Sequence, residues 1–234
     1  MNEENTPGEI LARAVAYPYE APLVSFVQIG AHSHDLDEAA DLDLGGREPL
    51  LAYGANPAPA VLKRKLAGLP AEPLPVLRAQ LSGFDVVYSA HISPYGAVPS
   101  TLQRSAGTTA PVFVLYPSAA QLQRLSATEP NYELRRLAGL ELKVDRVGAL
   151  TEAEAYVSRH GCLSHEDSEV ALAAIESDGR RLPAMGEVEV LEHVRHLLAP
   201  ELDLERFVES SLDPAMATAR TTVLRGNAIG LRET

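Results

Sequence analysis

Cysteine occurs once in this chain of 234 residues, at Cys162, so no internal disulfide can form. A lone cysteine fits a reducing compartment. Basic charge is scarce too: 20 lysines and arginines stand against 32 acids, for a formal net charge of −12. That balance argues against nucleic acid as a partner, because the electrostatic footprint for phosphate backbones is basic. The acidic surface favours solubility and specifies nothing further. No apolar run approaches the length that spans a bilayer. Met1-Asn2-Glu3-Glu4-Asn5 lacks the basic residues that open a signal peptide. Internal repeats are absent. Together these features predict a soluble, cytoplasmic protein with neither membrane nor nucleic-acid partners. What the chain does contain is a 46% hydrophobic share, enough for a real core, and 17 prolines and 16 glycines, which indicate many turns. The length suits one generous domain, or one domain with an appendage.

The stretch that organises the reading is Leu50-Leu51-Ala52-Tyr53-Gly54-Ala55-Asn56. An apolar run followed by an aromatic, two small residues and an amide predicts a strand entering a tight turn with exposed backbone. Gly54 accepts backbone angles closed to other residues, and Ala55 is small enough for a ligand to approach the main chain. Successive free N–H groups in such a turn suit a carboxylate or phosphate. Val61-Leu62-Lys63-Arg64-Lys65-Leu66 predicts a helix leaving the turn. A loop passing a polar corner has a similar local pattern.

Tyr53-Gly54-Ala55-Asn56 after an apolar strand resembles the Tyr-Gly-Ser-Asn opening of the γ-glutamylcyclotransferase-like family. Gly96-Ala97-Val98-Pro99-Ser100-Thr101-Leu102 is similar to its Gly…Ala-Thr segment, and Ala110 to Tyr116 to its next strand. Leu122 to Tyr132 looks like its second signature, a leucine-spaced helix, a Glu and then a Tyr. The resemblance covers about residues 48–145, and the order of the elements carries it. Ala55 departs from the usual Ser, which removes a hydroxyl and keeps the backbone donors. The resemblance implies a cofactor-independent reaction in which the free α-amine of a γ-glutamyl group attacks its own side-chain carbonyl and releases 5-oxoproline. It assigns Glu129 as general acid and base, a dual role that a partly apolar pocket supports by lifting a carboxylate toward neutrality. Gly54 and Ala55 would hold the substrate carboxylate, with Tyr53, Asn56 and Tyr132 as pocket residues; His91 and Tyr95, which the family signature does not include, are candidates from their place in a turn at the barrel mouth. The competing reading of Glu129 is a surface acid ending a helix. For Tyr132 a packing or wall role is favoured over proton donation.

Elsewhere the pattern predicts a short helix over residues 10–16, broken at Tyr17-Pro18-Tyr19, and a strand over Leu23–Ile29. Ala31-His32-Ser33-His34-Asp35 holds candidate metal ligands, but with Asp37, Glu38, Asp41 and Asp43 it reads better as a solvated acidic loop. Residues 67–75 read as a connecting loop, and 76–81 and 84–90 as two strands. His91-Ile92-Ser93-Pro94-Tyr95-Gly96 is a turn whose histidine either meets substrate or steadies the backbone. Residues 108–116 form a strand covered on both faces. Ser118 caps the following helix, and the leucines of 134–142 announce buried strand.

Beyond Gly148 the composition changes. Thr151 to Val157 predicts a helix ending at Arg159-His160-Gly161, and 170–175 reads as buried. Residues 187–199 give the clearest amphipathic helix, with Val190, Leu191, Val194, Leu197 and Leu198 as its stripe. A shorter stripe follows over 202–212, and His193 and His196 read as exposed partners of nearby glutamates. The expected architecture is a small α+β protein: a mixed β-barrel over residues 1–148 and a helical extension over 149–234. The extension either narrows substrate access or makes a homodimer contact. Function is expected to be cyclotransferase-like, with a small-molecule binding module on the same fold as the alternative. A metal-dependent hydrolase built on His32, His34 and His91 is the weakest reading.

Overall fold

The chain opens, in a computed structural model that describes residues 6–36 and 44–232, on helix α1 (Pro7–Val15). Thr6 caps it: the Thr6 hydroxyl accepts the Glu9 N–H, and the Glu9 carboxylate accepts the Thr6 N–H at 2.8 Å. This reciprocal box starts the helix earlier than the apolar residues alone suggest. Strands β1 (Phe26–Ile29) and β2 (His32–Asp35) form an antiparallel hairpin that turns at Gly30, φ +55°. His32-Ser33-His34-Asp35 is therefore an exposed edge strand and not a loop. Its main chain is tied to β1 while every side chain faces solvent, so hydrophobic alternation could not reveal it. Asp37, Glu38, Asp41 and Asp43 lie outside the described residues, as does the segment 1–5.

Next come β3 (Leu50–Ala52), wholly buried, and α2 (Pro59–Lys65), which begins on a proline whose missing N–H costs a helix start nothing. Strand β4 (Pro73–Tyr88) replaces the two expected strands. Gly83, at φ +78°, inserts a bulge between Ser82 and Phe84, so the strand bends without ending. Strand β5 (Ser100–Leu115) begins eight positions before the expected Thr108, and its early residues Thr101, Gln103 and Ser105 are polar yet buried. Helix α3 (Ala119–Ala127) carries the expected Ser118 cap, closed by Gln121. Strand β6 (Tyr132–Val144) buries Leu140, Leu142 and Val144, while Leu134 is half exposed.

The helix expected from Thr151 is strand β7 (Gly148–Ser158). Glu and Ala favour helix locally, yet every second residue from Ala153 is buried, at Ala153, Ala155 and Val157, while Glu152 is exposed and Glu154 half-buried. Tertiary pairing overrides the local preference. β4 pairs with β5, β5 with β3, β3 with β7 and β7 with β6, which returns to β4. β3 and β7 run parallel and the other neighbours antiparallel. The result is a closed, mixed five-stranded barrel whose interior packs Leu51, Leu77, Leu81, Leu142 and Ala155 in one cluster. The barrel thus runs ten residues past the expected boundary at residue 148.

After the barrel, the two-residue strands β8 (Ser164–His165), β9 (Ser168–Glu169), β10 (Ala171–Leu172) and β11 (Ala184–Met185) follow, with β10 extending the sheet at β4. Three helices follow among the described residues: α4 (Glu187–Leu198), α5 (Leu204–Ser210) and α6 (Pro214–Arg225). Val190, Leu191 and Val194 of α4 are buried as expected, but Leu197 is 53% exposed. α6 was not anticipated, although Asp213-Pro214 is a regular start, with the Asp213 carboxylate accepting the Met216 N–H at 2.8 Å. No helix among the described residues is long and apolar enough to cross a membrane.

Candidate functional site

A cavity of about 380 Å³ opens where β3 ends, walled by the 53–56 turn, the loop between β4 and β5, and the end of α3. β3 is short and fully buried, so it fixes the turn at the barrel mouth. There, Gly54 has no unusual φ, contrary to expectation. Its requirement is space: a Cβ on Gly54 would lie 2.6 Å from the Tyr17 hydroxyl and 2.7 Å from Ser100 Oγ. The Ala55 side chain offers no hydrogen-bonding group and packs against the core. The N–H groups of Gly54, Ala55 and Asn56 have no acceptor among the described residues, which leaves three main-chain donors on the cavity wall.

Glu129 reaches the same cavity from the end of α3. α3 ends at Ala127, and Pro130 prevents the helix from continuing. Glu129 Oε1 accepts from Asn56 Nδ2 at 3.1 Å and from Lys65 Nζ at 2.5 Å, and Lys65 Nζ also donates to Asn56 Oδ1 at 2.8 Å. The side chains of Lys65 and Glu129 are only 13% and 14% exposed. Glu129 is thus not the surface acid of the competing reading. Its surroundings also differ from the apolar ones expected, because an ammonium group shares its oxygen. Arg64 and Arg124 line the cavity as well, so three cationic side chains and one carboxylate face it on a protein of net charge −12. Such a site attracts small anions.

Comparison of the chain with protein-family models, with curated proteins and with solved structures finds no match.

The remaining expected residues also gather here. The Tyr53 hydroxyl donates to the Tyr156 carbonyl, and burial raises its ionisation above the ordinary tyrosine range. Tyr132 donates to the Ser100 carbonyl at 2.8 Å and is likewise raised by burial, which suits the wall role favoured for it. Tyr95, raised by burial too, packs on Tyr19 at 6.0 Å. His91 is 1% exposed and lines the cavity, with Nδ1 against Ser89 Oγ at 2.7 Å. Burial, and then the neighbouring His160, push its ionisation down to about 3. His32 and His34 are exposed on β2, and no group of three or more His, Cys, Asp or Glu side chains that could hold a metal occurs among the described residues. His193 is not simply a solvated partner of glutamate, since its ring meets that of His165 at 4.4 Å.

Lys65 and Tyr17, with Arg64 and Arg124, are site residues that sequence reasoning missed. Lys65 was legible only as one of three basic residues ending α2, a pattern that usually means a solvated helix end. Tyr17 lies far from the turn in sequence. Its hydroxyl meets Ser100 Oγ at 2.7 Å beneath Gly54.

Proposed function

We propose that the chain is a γ-glutamylcyclotransferase-like enzyme that releases 5-oxoproline from a γ-glutamyl amine or related small amide. The observation that carries this reading is the convergence of Glu129 with the Gly54–Asn56 turn on one cavity, joined through Asn56 across 73 positions of sequence. The barrel with a cavity at its mouth agrees with the architecture the resemblance implies. The α-carboxylate of the substrate lies on the free turn N–H groups, with Lys65 and Arg64 supplying charge. Its α-ammonium lies against Glu129, which takes one proton. The freed amine attacks the γ-carbonyl carbon, a new C–N bond closes the five-membered ring, and the original amide C–N bond breaks. Glu129 returns its proton to the departing nitrogen, takes the second proton from the ring nitrogen so that a neutral lactam remains, and passes it to the released amine. Nothing is oxidised or reduced and no water is consumed, so the protein's work is positioning and proton transfer.

The 2.5 Å Lys65–Glu129 pair favours a second reading, a binding module in which the carboxylate only holds the cavity together. Incubation with γ-glutamyl amino acids, γ-glutamyl amines and glutathione, followed by assay of 5-oxoproline, separates the two. An enzyme loses turnover in Glu129→Gln while remaining folded. Absence of product with every substrate, together with tight binding of one, selects the module.

A further inference from the structure

Behind the cavity wall, a chain of hydrogen bonds runs from the barrel to His91. The main-chain N–H of His160 donates to Ser158 Oγ at 3.0 Å, the Ser158 and Ser89 hydroxyls lie 2.6 Å apart, and Ser89 Oγ lies 2.7 Å from His91 Nδ1. The chain has a direction. A peptide N–H can only donate, so the Ser158 oxygen is an acceptor at that end. The Ser158 proton has the Ser89 oxygen as its acceptor, and no other is within hydrogen-bond reach among the described residues. Ser89, having accepted one proton, directs its own at Nδ1. The opposite direction would leave the proton of the half-buried Ser158 without a protein acceptor among the described residues. An imidazole that accepts at Nδ1 carries its proton on Nε2.

The surroundings keep this ring neutral and leave Nε2 unspent. His160 lies 4.8 Å away and Tyr132 meets the ring edge-on at 5.5 Å. Neither supplies a negative charge. His160 Nδ1 has no hydrogen-bond partner, so the His91 proton is not donated to it. With Nδ1 held from behind by Ser89, the other edge of the ring is the one left to the cavity that His91 lines.

We infer that Ser158 and Ser89 fix the tautomer of His91 so that it presents Nε2–H to the cavity as a permanent, neutral donor to a ligand carbonyl oxygen. That the oxygen belongs to the γ-glutamyl carbonyl rests on the function proposed above. This oxygen gains negative charge as the α-amine adds to its carbon and loses it as the amide bond breaks. A neutral donor stabilises that charge without surrendering its proton, so His91 holds one proton throughout.

The test begins on the unmodified protein, by long-range ¹H–¹⁵N correlation of the histidine rings at pH 7. The expected pattern for His91 is a protonated Nε2 and a bare Nδ1, with Ser158→Ala turning it into a mixture of tautomers. A protonated Nδ1, or an imidazolium, overturns the inference. In the activity arm, His91→Phe lowers kcat for 5-oxoproline release by about 10²–10³-fold with little change in KM. His91→Gln, which keeps an N–H near the same place, recovers part of the loss. Equal kcat in parent and His91→Phe overturns the inference even with the expected tautomer. A parent that releases no 5-oxoproline but shows the expected tautomer leaves the fixed donor standing and rejects only the assignment of its ligand.

Discussion

Replacing Gly54 with alanine tests whether the turn exists because of space rather than backbone angle. The new Cβ would lie 2.6 Å from the Tyr17 hydroxyl and 2.7 Å from Ser100 Oγ. Those two groups are themselves hydrogen-bonded at 2.7 Å, and the Tyr17 oxygen also accepts the Ser100 N–H at 2.8 Å. Both residues are buried, at 5% and 2% exposure, and Tyr17 ends in a rigid ring. The methyl therefore has to displace a hydrogen-bonded pair. Overpacking costs about 1–3 kcal/mol, and a buried hydroxyl left without its partner costs about 1–3 kcal/mol more. The φ of Gly54 is ordinary, so the alanine itself returns about 0.4–1 kcal/mol through the unfolded chain. The net loss is roughly 1–6 kcal/mol by these terms, or a Tm lower by about 2–24 °C for a chain of this size. The assay is urea unfolding followed by circular dichroism, with Gly54→Ala made in the parent and in a Tyr17→Phe/Ser100→Ala background. In that background the nearest remaining atom to the new Cβ is Tyr17 Cζ at 3.7 Å, and the same substitution is expected to cost under about 1 kcal/mol. A cost below 1 kcal/mol in the parent, or equal costs in both backgrounds, refutes the reasoning.

Three further outcomes are expected. His91 has a folded ionisation near 3 against an ordinary value of 6.5, so the unfolded chain binds the extra proton first and stability falls as pH drops from about 6.5 toward 3. The contribution is on the order of 5 kcal/mol, and His91→Gln is expected to flatten the slope of unfolding free energy between pH 4 and 6.5; an unchanged slope rejects it. Asp85, with no exposed surface, accepts two hydrogen bonds from Arg180, at 2.8 and 2.9 Å. Arg180→Ala should therefore destabilise by about 3–5 kcal/mol, and a urea-measured loss under 1 kcal/mol would show that the pair is not structurally required. Lys65→Met should weaken 5-oxoproline binding in calorimetry by about tenfold or more, as expected for losing a charge-assisted bond; unchanged affinity removes Lys65 from carboxylate recognition.

Parts of the site were legible because they lie at element ends, where sequence signals are strongest. Buried β3 stops at a small-residue turn, and Glu129 stands between a capped helix and Pro130. Lys65 was not legible, since its role depends on α2 returning a side chain to the turn it left, and a basic helix end is ordinary. The fold was read correctly where burial alternates with apolar residues and wrongly where it does not. Thr151 to Val157 has helix-forming composition and is a strand because β3 and β6 accept it on both edges. Ser100 to Gly107 was missed because its inward side chains are polar: Gln103 is fully buried and donates to Glu169 at 2.8 Å. Pairing partners and polar networks are properties of the assembled chain, invisible to a window of neighbours.

The loop carrying His91 and Tyr95 has no regular secondary structure, yet each C-terminal helix touches it. Thr221 of α6 accepts the Ile92 N–H at 3.2 Å, Glu187 of α4 accepts the Val98 N–H at 2.8 Å, and a Cβ on Gly96 would lie 2.7 Å from Val208 of α5. Three separate supports make that lip a tripod-mounted wall rather than a flap. Amide exchange at Ile92 and Val98 should then be as slow as in the helices that hold them, and a ligand must enter past fixed edges. Shortening the chain before Glu187 would remove all three supports at once, and would dismantle the mouth of the barrel from a distance while leaving its strands in place.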